Sequence, residues 1–353
     1  MTGVELLTCI QKHPGVLGDA SLRFGNDLPF LFKVLSVRTA LSIQSHPDKT
    51  LAQRLHHERP NIYKDCNHKP EMAIALSEFE ALCSFCPYEE IVDAVQSVKE
   101  LADICGSDLC ESYVKASDHG DRRAALKEMF TVLMMADQGL VKSCVEKMVN
   151  RLENEAMSRK LSGKEKLVLR LQEQYPFDVG LLAVWFLNYV RLTPGQGLVL
   201  AANEPHAYIH GDIVECMATS DNVIRAGLTP KLRDTEVLCS SLTYNQHGPK
   251  VVTGMEFPNN FLTVYRPPFE EFEVWRFSPP NDSKFSFPRP QGPLVILILT
   301  GTGILHGHGG LGKELSRGKA YFVPSQSMFS ITAAKNLVAW IAAANGMAFE
   351  MNP

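Results

Sequence analysis

Phe30-Leu31-Phe32-Lys33-Val34-Leu35-Ser36-Val37 is a short apolar run of β-prone residues, and Leu41-Ser42-Ile43-Gln44-Ser45-His46 follows it with alternating character. Both read as strands. Further on, Thr193-Pro194-Gly195 ahead of Leu198-Val199-Leu200 gives a turn-then-strand signal. From about residue 250, proline and glycine punctuate short apolar segments at 261–264, 272–277, 294–299, 320–323 and 336–341. That spacing predicts an all-β sandwich or jelly roll.

Proline placement divides the chain between these two β-rich ends. Six prolines occur up to Pro87, none follows until Pro176, and fourteen more lie beyond it. The proline-free middle is rich in Glu, Lys, Ala and Arg, with Ile91, Val95 and Val98 at helical spacing. Ser107-Asp108 and Ser117-Asp118 break it, the second offering a cap. The fold class is therefore mainly β with an α insertion. Residues 1–87 and 175–245 form a split β domain, 88–174 a helical domain, and 246–353 a second β domain.

A chain of 353 residues is long enough for two or three domains. Its formal net charge of -4 argues against general nucleic-acid binding, which needs a strong positive field. Met1-Thr2-Gly3-Val4-Glu5-Leu6-Leu7 lacks a basic region followed by an apolar signal core, and no apolar run is long enough to span a bilayer. Nine cysteines without a compact framework suit reduced thiols in a cytoplasmic protein. Cys83-Ser84-Phe85-Cys86 lacks a second close pair and reads as structural.

The chemistry lies in scattered polar residues. Gln44 and His46, two apart on a strand, leave the same face as two ligands of one ion would. Glu71 opens the apolar run Met72-Ala73-Ile74-Ala75-Leu76, and a buried carboxylate needs a cation. His206, between Pro205 and Ala207, adds a second imidazole; zinc takes such nitrogen and oxygen donors. Gly307-His308-Gly309-Gly310-Leu311-Gly312-Lys313-Glu314 imitates a phosphate loop, but Glu314 stands at the Ser/Thr position and no helix can follow. It reads as a glycine-rich turn, and His56-His57 as a solvated helical surface.

At Gln44-Ser45-His46-Pro47, His68-Lys69-Pro70-Glu71 and Pro205-His206-Ala207-Tyr208 the sequence resembles the zinc-dependent mannose-6-phosphate isomerases. Asn26-Asp27-Leu28-Pro29 and the stretch from Gly211 through Ser220-Asp221-Asn222 to Arg225-Ala226-Gly227-Leu228-Thr229-Pro230-Lys231 extend the resemblance over most of the chain. It implies a cupin-type jelly-roll catalytic domain, a helical domain and a second, C-terminal jelly roll. It also implies reversible isomerisation of mannose 6-phosphate and fructose 6-phosphate with one Zn2+ per chain. By motif position, Gln44, His46, Glu71 and His206 correspond to the zinc ligands and Arg225 to the catalytic arginine. Lys33, Lys69 and Ser42 match substrate-pocket positions, and Tyr208 is assigned to the same pocket.

Moving a carbonyl between C1 and C2 requires proton transfer through an enediol, for which Lys69 assisted by Asp212 is the expected carrier; Tyr208 and Glu204 are rivals. The expected partner is a small sugar phosphate, with no nucleic acid or membrane, and the expected state is a monomer. Family members usually carry several dozen further residues ahead of this start, including a Tyr-Ala-Trp-Gly-like segment. An exposed sheet edge and an open pocket are therefore expected. Two alternatives stand beside this: a non-catalytic zinc or sugar-phosphate binder, and a non-haem iron oxygenase built on a facial triad.

Overall fold

Strand β1 (Phe30–Val37) forms over the whole run anticipated for it. The structure, a computed structural model, describes residues 5–257, 261–307 and 312–349. Eight further strands join β1: β2 (Ile43–Ser45), β3 (Glu71–Ala75), β4 (Phe79–Phe85), β5 (Leu187–Leu192), β6 (Gly197–Leu200), β7 (His206–Ala218), β8 (Ile224–Gly227) and β9 (Val251–Val252). They make one antiparallel sheet ordered β5-β4-β7-β3-β6-β9, with β1 on β7 and β2 between β7 and β8.

Strand β7 organises this sheet because it bends. Its first half pairs with β4, while 211–218 pair with β1 and 213–217 with β3. The bend is at Gly211, whose φ is +111° and where a Cβ would collide with the Glu78 carbonyl; only glycine fits. Past the bend the parity of the inward face changes. His206 and Tyr208 point in before it, Ile213 and Glu215 after it.

Six helices, Tyr88–Ser97, Lys99–Cys105, Ser107–Lys115, His119–Met135, Gln138–Ala156 and Gly163–Gln174, fill the proline-free middle. Their breaks fall where the sequence puts them, and the Asp118 carboxylate accepts the Asp121 N–H as a cap. They pack into the sheet: Ile91, Leu133 and Val145 share a core with Ile43, Leu82 and Phe85. Ser162 and Glu165 form a capping box at the last helix, and Glu165 also meets Arg159. These partners hold the Glu165 carboxyl down at about 2, against an ordinary 4.5. A depressed carboxyl contributes stability above its unfolded pKa and loses it as pH falls through the folded one. The melting-temperature gap between the parent and Glu165→Gln is therefore expected at neutral pH and should close between pH 4.5 and 2; a gap constant across that window would contradict it.

The second sheet holds β10 (Met255–Phe257), β11 (Leu262–Tyr265), β12 (Glu273–Phe277), β13 (Lys284–Phe287), β14 (Leu294–His306), β15 (Gly312–Ser316), β16 (Ala320–Val323) and β17 (Phe329–Ala343). The long strands β14 and β17 pair along its centre. The sheets meet back to back, with Met72, Ile74 and Val214 packed against Phe272, Val274 and Trp340. Residues before Pro29 contact the second sheet: the Ser325 N–H donates to the Val16 carbonyl at 2.9 Å.

Strands β13 and β15 lie outside the segments predicted from apolar runs. In β15 only Leu315 is buried, so pairing with β14 fixes it rather than its own residues. That strand begins at Gly312, where a phosphate loop would need a helix; His308 and the rest of that turn through Leu311 lie outside the described residues. Met1–Val4 lie outside them too. His56 and His57 end the helix Lys49–Glu58. All nine cysteines are free, with Cys83 and Cys86 buried. Among the described residues no helix is long and apolar enough to cross a membrane. Strand β1 has a partner on one side alone among the described residues, and Leu31 and Val34 on it are 36% and 41% exposed.

Candidate metal centre

Three side chains from three elements converge inside the first sheet. His46 follows β2, Glu71 opens β3 and His206 opens β7. One ligand atom from each lies within 4.8 Å of the others, and all three residues are buried. His46 Nε2 is 3.2 Å from Glu71 Oε1, and His206 Nε2 is 3.4 Å from Glu71 Oε2.

The outer hydrogen bonds fix what these rings present. His46 Nδ1 is 2.7 Å from the Asn222 carbonyl, and His206 Nδ1 is 3.2 Å from the Glu204 carbonyl. A carbonyl can only accept, so each Nδ1 carries the proton and each neutral ring aims its Nε2 lone pair inward. Burial also lowers the His46 pKa, which favours the neutral ring. Two lone pairs thus face a buried carboxylate, and His46 Nε2 and Glu71 Oε2 have no hydrogen-bond partner among the described residues. Two imidazole lone pairs and a carboxylate crowded this closely fit a cation between them.

Gln44 stands at the same place. It pairs across the sheet with His206 and with Arg225, which puts the three side chains on one face. Its amide end is 3.3 Å from His206 Nε2 and accepts the Ser42 hydroxyl at 3.1 Å. Exchanging the amide oxygen and nitrogen would turn an acceptor toward the cluster. Arg225 is half-buried and makes no ion pair among the described residues. Lys69 Nζ lies 3.6 Å from Glu71 Oε1, with its side chain mostly covered.

Two sequence assignments need correction. Asp212 does not reach this cluster. It lies past the Gly211 bend, opposite Ser36 in β1, and its backbone N–H bonds the Ser77 hydroxyl at the β3–β4 turn. The parity change at Gly211, invisible in a linear alternation, turns Asp212 away and Glu215 in. Tyr208 does not line an open pocket either: its ring packs edge-on against Phe79 in the core, and its hydroxyl is fully covered beside Glu215. Glu204 is buried with its carboxylate on the Thr243 hydroxyl at 2.5 Å.

Glu215 and Asn222 are the residues that the sequence reading passed over. Glu215 is 4% exposed and lies 3.6 Å from Lys33 Nζ. Burial first, then the Glu71 charge, pushes its carboxyl up to about 7. The available signal was a lone acid inside the apolar run Ile213-Val214-Glu215-Cys216-Met217. Asn222 offered none, since its carbonyl, not its side chain, orients His46.

A relative from Arabidopsis thaliana, mannose-6-phosphate isomerase 1, is 42% identical over 346 residues, covering 97% of this chain and 80% of that protein. The chain belongs to the type I phosphomannose isomerase family. Family models described as the phosphomannose isomerase type I catalytic domain and helical insertion domain match residues 3–88 and 105–187. A mannose-6-phosphate isomerase from Rattus norvegicus is 38% identical over 89% of this type I chain and 77% of the relative. The phosphomannose isomerase fold is also that of a mutant enzyme structure from Salmonella typhimurium, at a TM-score of 0.83 and 24% identity over 97% of this chain and 86% of that one. A mannose 6-phosphate isomerase structure with bound zinc and yttrium superposes with a TM-score of 0.82, at 24% identity, over 97% of this chain and 86% of that one.

Proposed function

We propose that this chain interconverts mannose 6-phosphate and fructose 6-phosphate, with zinc held by His46, Glu71 and His206 and by Gln44 as a fourth ligand. The carrying observation is the pair of inward lone pairs facing a buried carboxylate, with an Arg225 guanidinium on the same face that makes no ion pair among the described residues. When bound, zinc supplies Lewis-acid polarisation of the sugar oxygens.

The chain's own groups do the rest. Arg225 offers a fixed positive charge where the enediolate oxygen develops. Lys33 has its ammonium half-exposed, in reach of a phosphate, and Ser42 holds Gln44 in place. Lys69 takes the proton from one carbon and returns it to its neighbour. Glu215 replaces Asp212 as its assistant, since its carboxyl sits within the field of both Lys33 and Lys69 and can hold or release the hydroxyl proton. No oxidant or reductant is consumed, because one C–H and one O–H proton only change places.

The reading is tested by a coupled isomerase assay on purified protein with and without a chelator. Turnover lost on chelation and restored by zinc supports it, whereas bound zinc without turnover favours a non-catalytic binder. Iron-dependent oxygen consumption would point to the oxygenase alternative instead. For the carrier, Lys69→Met is expected to abolish solvent-proton exchange at C2 while bound zinc is retained; full exchange in that variant would exclude Lys69. The reading also takes the protein to act as a cytosolic monomer, which its nine free thiols suit and light scattering checks.

A further inference from the structure

We infer that Glu271, from the second sheet's side of the molecule, is a positioning residue for Lys69, acting through His68. This inference rests on the isomerase reading of the metal centre. The strap 65–70 carries Lys69 to Glu71, and it is tied down from two sides. On one side Asn222 Nδ2 donates to the Asp65 and Asn67 carbonyls at 2.7 and 3.1 Å, and the Ser220 hydroxyl donates to Asn67 at 3.1 Å. On the other, His68 Nε2 donates to Glu271 Oε1 at 2.5 Å, with Lys49 Nζ 3.7 Å from the same oxygen.

The Glu271 anchor is rigid. Next to it Phe272 is fully buried in the seam between the sheets. The buried Asn345 side chain donates to the Pro267 and Phe269 carbonyls at 3.0 and 2.8 Å, and its N–H donates to the Glu270 carbonyl at 3.2 Å. Packing alone does not fix the strap here. A cleft of about 340 Å³, lined by Lys49, Asn67 and Glu271 among others, opens behind it. On the side where this cleft opens, the His68–Glu271 bond ties the strap down. A charge-assisted bond to a covered carboxylate is among the stronger tethers available.

Adjacent residues of the strap thus have different partners: the His68 imidazole is held by Glu271, and Lys69 lies against Glu71. Releasing the tether lets the lysine amine wander by the ångström that costs an enzyme rate. This gives the second sheet a part in the chemistry without placing any of its groups on substrate.

The test compares Glu271→Ala, His68→Ala and the double variant. Each single change is expected to lower kcat roughly ten- to a hundred-fold, as for lost orienting partners, with KM and bound zinc little changed. The double variant should lose no more than either single one, because both cut one bond. Glu271→Gln, which still accepts from His68, should recover most of kcat. A readout independent of turnover is the Lys69 amide order parameter. It should fall from about 0.85 to below about 0.6 in both single variants. Should Glu271→Ala fail to fold, His68→Ala and Glu271→Gln carry the same comparison. A Lys69 amide that stays rigid, or additive losses in the double variant, overturns the inference. A parent protein without turnover defeats the isomerase reading, while the relaxation data still decide the tether.

Discussion

His46→Ala is expected to empty the metal centre and to lower isomerase turnover on the order of a thousand-fold or more, at least the cost of losing an electrostatic stabiliser from a buried site. Among the described residues three His or Glu side chains converge here, and the His46 ring is locked by the Asn222 carbonyl in the tautomer that offers Nε2. Its loss leaves Glu71 and His206 with Gln44, too few donors for a closed hold on zinc. The variant should still fold. In the metal-free protein, removing one lone pair that faces Glu71 relieves crowding as much as it removes contact. Thermal melts with added zinc separate these effects. A ligand at a hundred times its dissociation constant stabilises the native state by about 2.7 kcal/mol, so the parent should melt higher with zinc and His46→Ala should not. Undiminished zinc content in His46→Ala would remove this histidine from the ligand set.

Arg225→Ala should lower kcat by about two to three orders of magnitude while zinc content and melting temperature stay at parental values. Arg225 has no ion pair to lose among the described residues, so its removal strands no buried partner and the fold should tolerate it. Its guanidinium lies beside Gln44 in the sheet register, on the face that carries His206. Lysine should restore little, since a mobile ammonium does not reproduce a planar fork. If Arg225→Ala turned over within about threefold of the parent, the fixed positive charge would have to come from Lys69 or Lys33 instead, and the proposed division of labour would fail.

The proposed ligand set was legible because each member broke a local pattern. Glu71 is a carboxylate at the start of an apolar run that proves buried through Ala75. Gln44 and His46 sit at period two in a segment that forms a short strand and its exit. In linear alternation Asp212 shares parity with His206 and Tyr208. The register slip between Tyr208 and His210 and the bend at Gly211 shift that parity, and the bend brings the Gly211 backbone against the Glu78 carbonyl, 133 positions away. Glu215 entered the site by the same shift.

The sequence by itself determined the architecture and the chemistry on offer. Proline-free helical spacing marked the insertion, punctuated apolar runs marked two β regions, and acids and imidazoles set in apolar surroundings marked a metal. These are short-range signals, carried by residues a few positions apart. Which groups meet was decided only by the tertiary structure. A bend in β7 chose Glu215 over Asp212, carbonyls from Asn222 and Glu204 chose the imidazole tautomers, and Glu271 reached across from the second sheet to brace the lysine strap. Each is a through-space contact set by the fold, and where the partner is a backbone carbonyl it carries no mark in the chain, because a backbone carbonyl is the same at every residue.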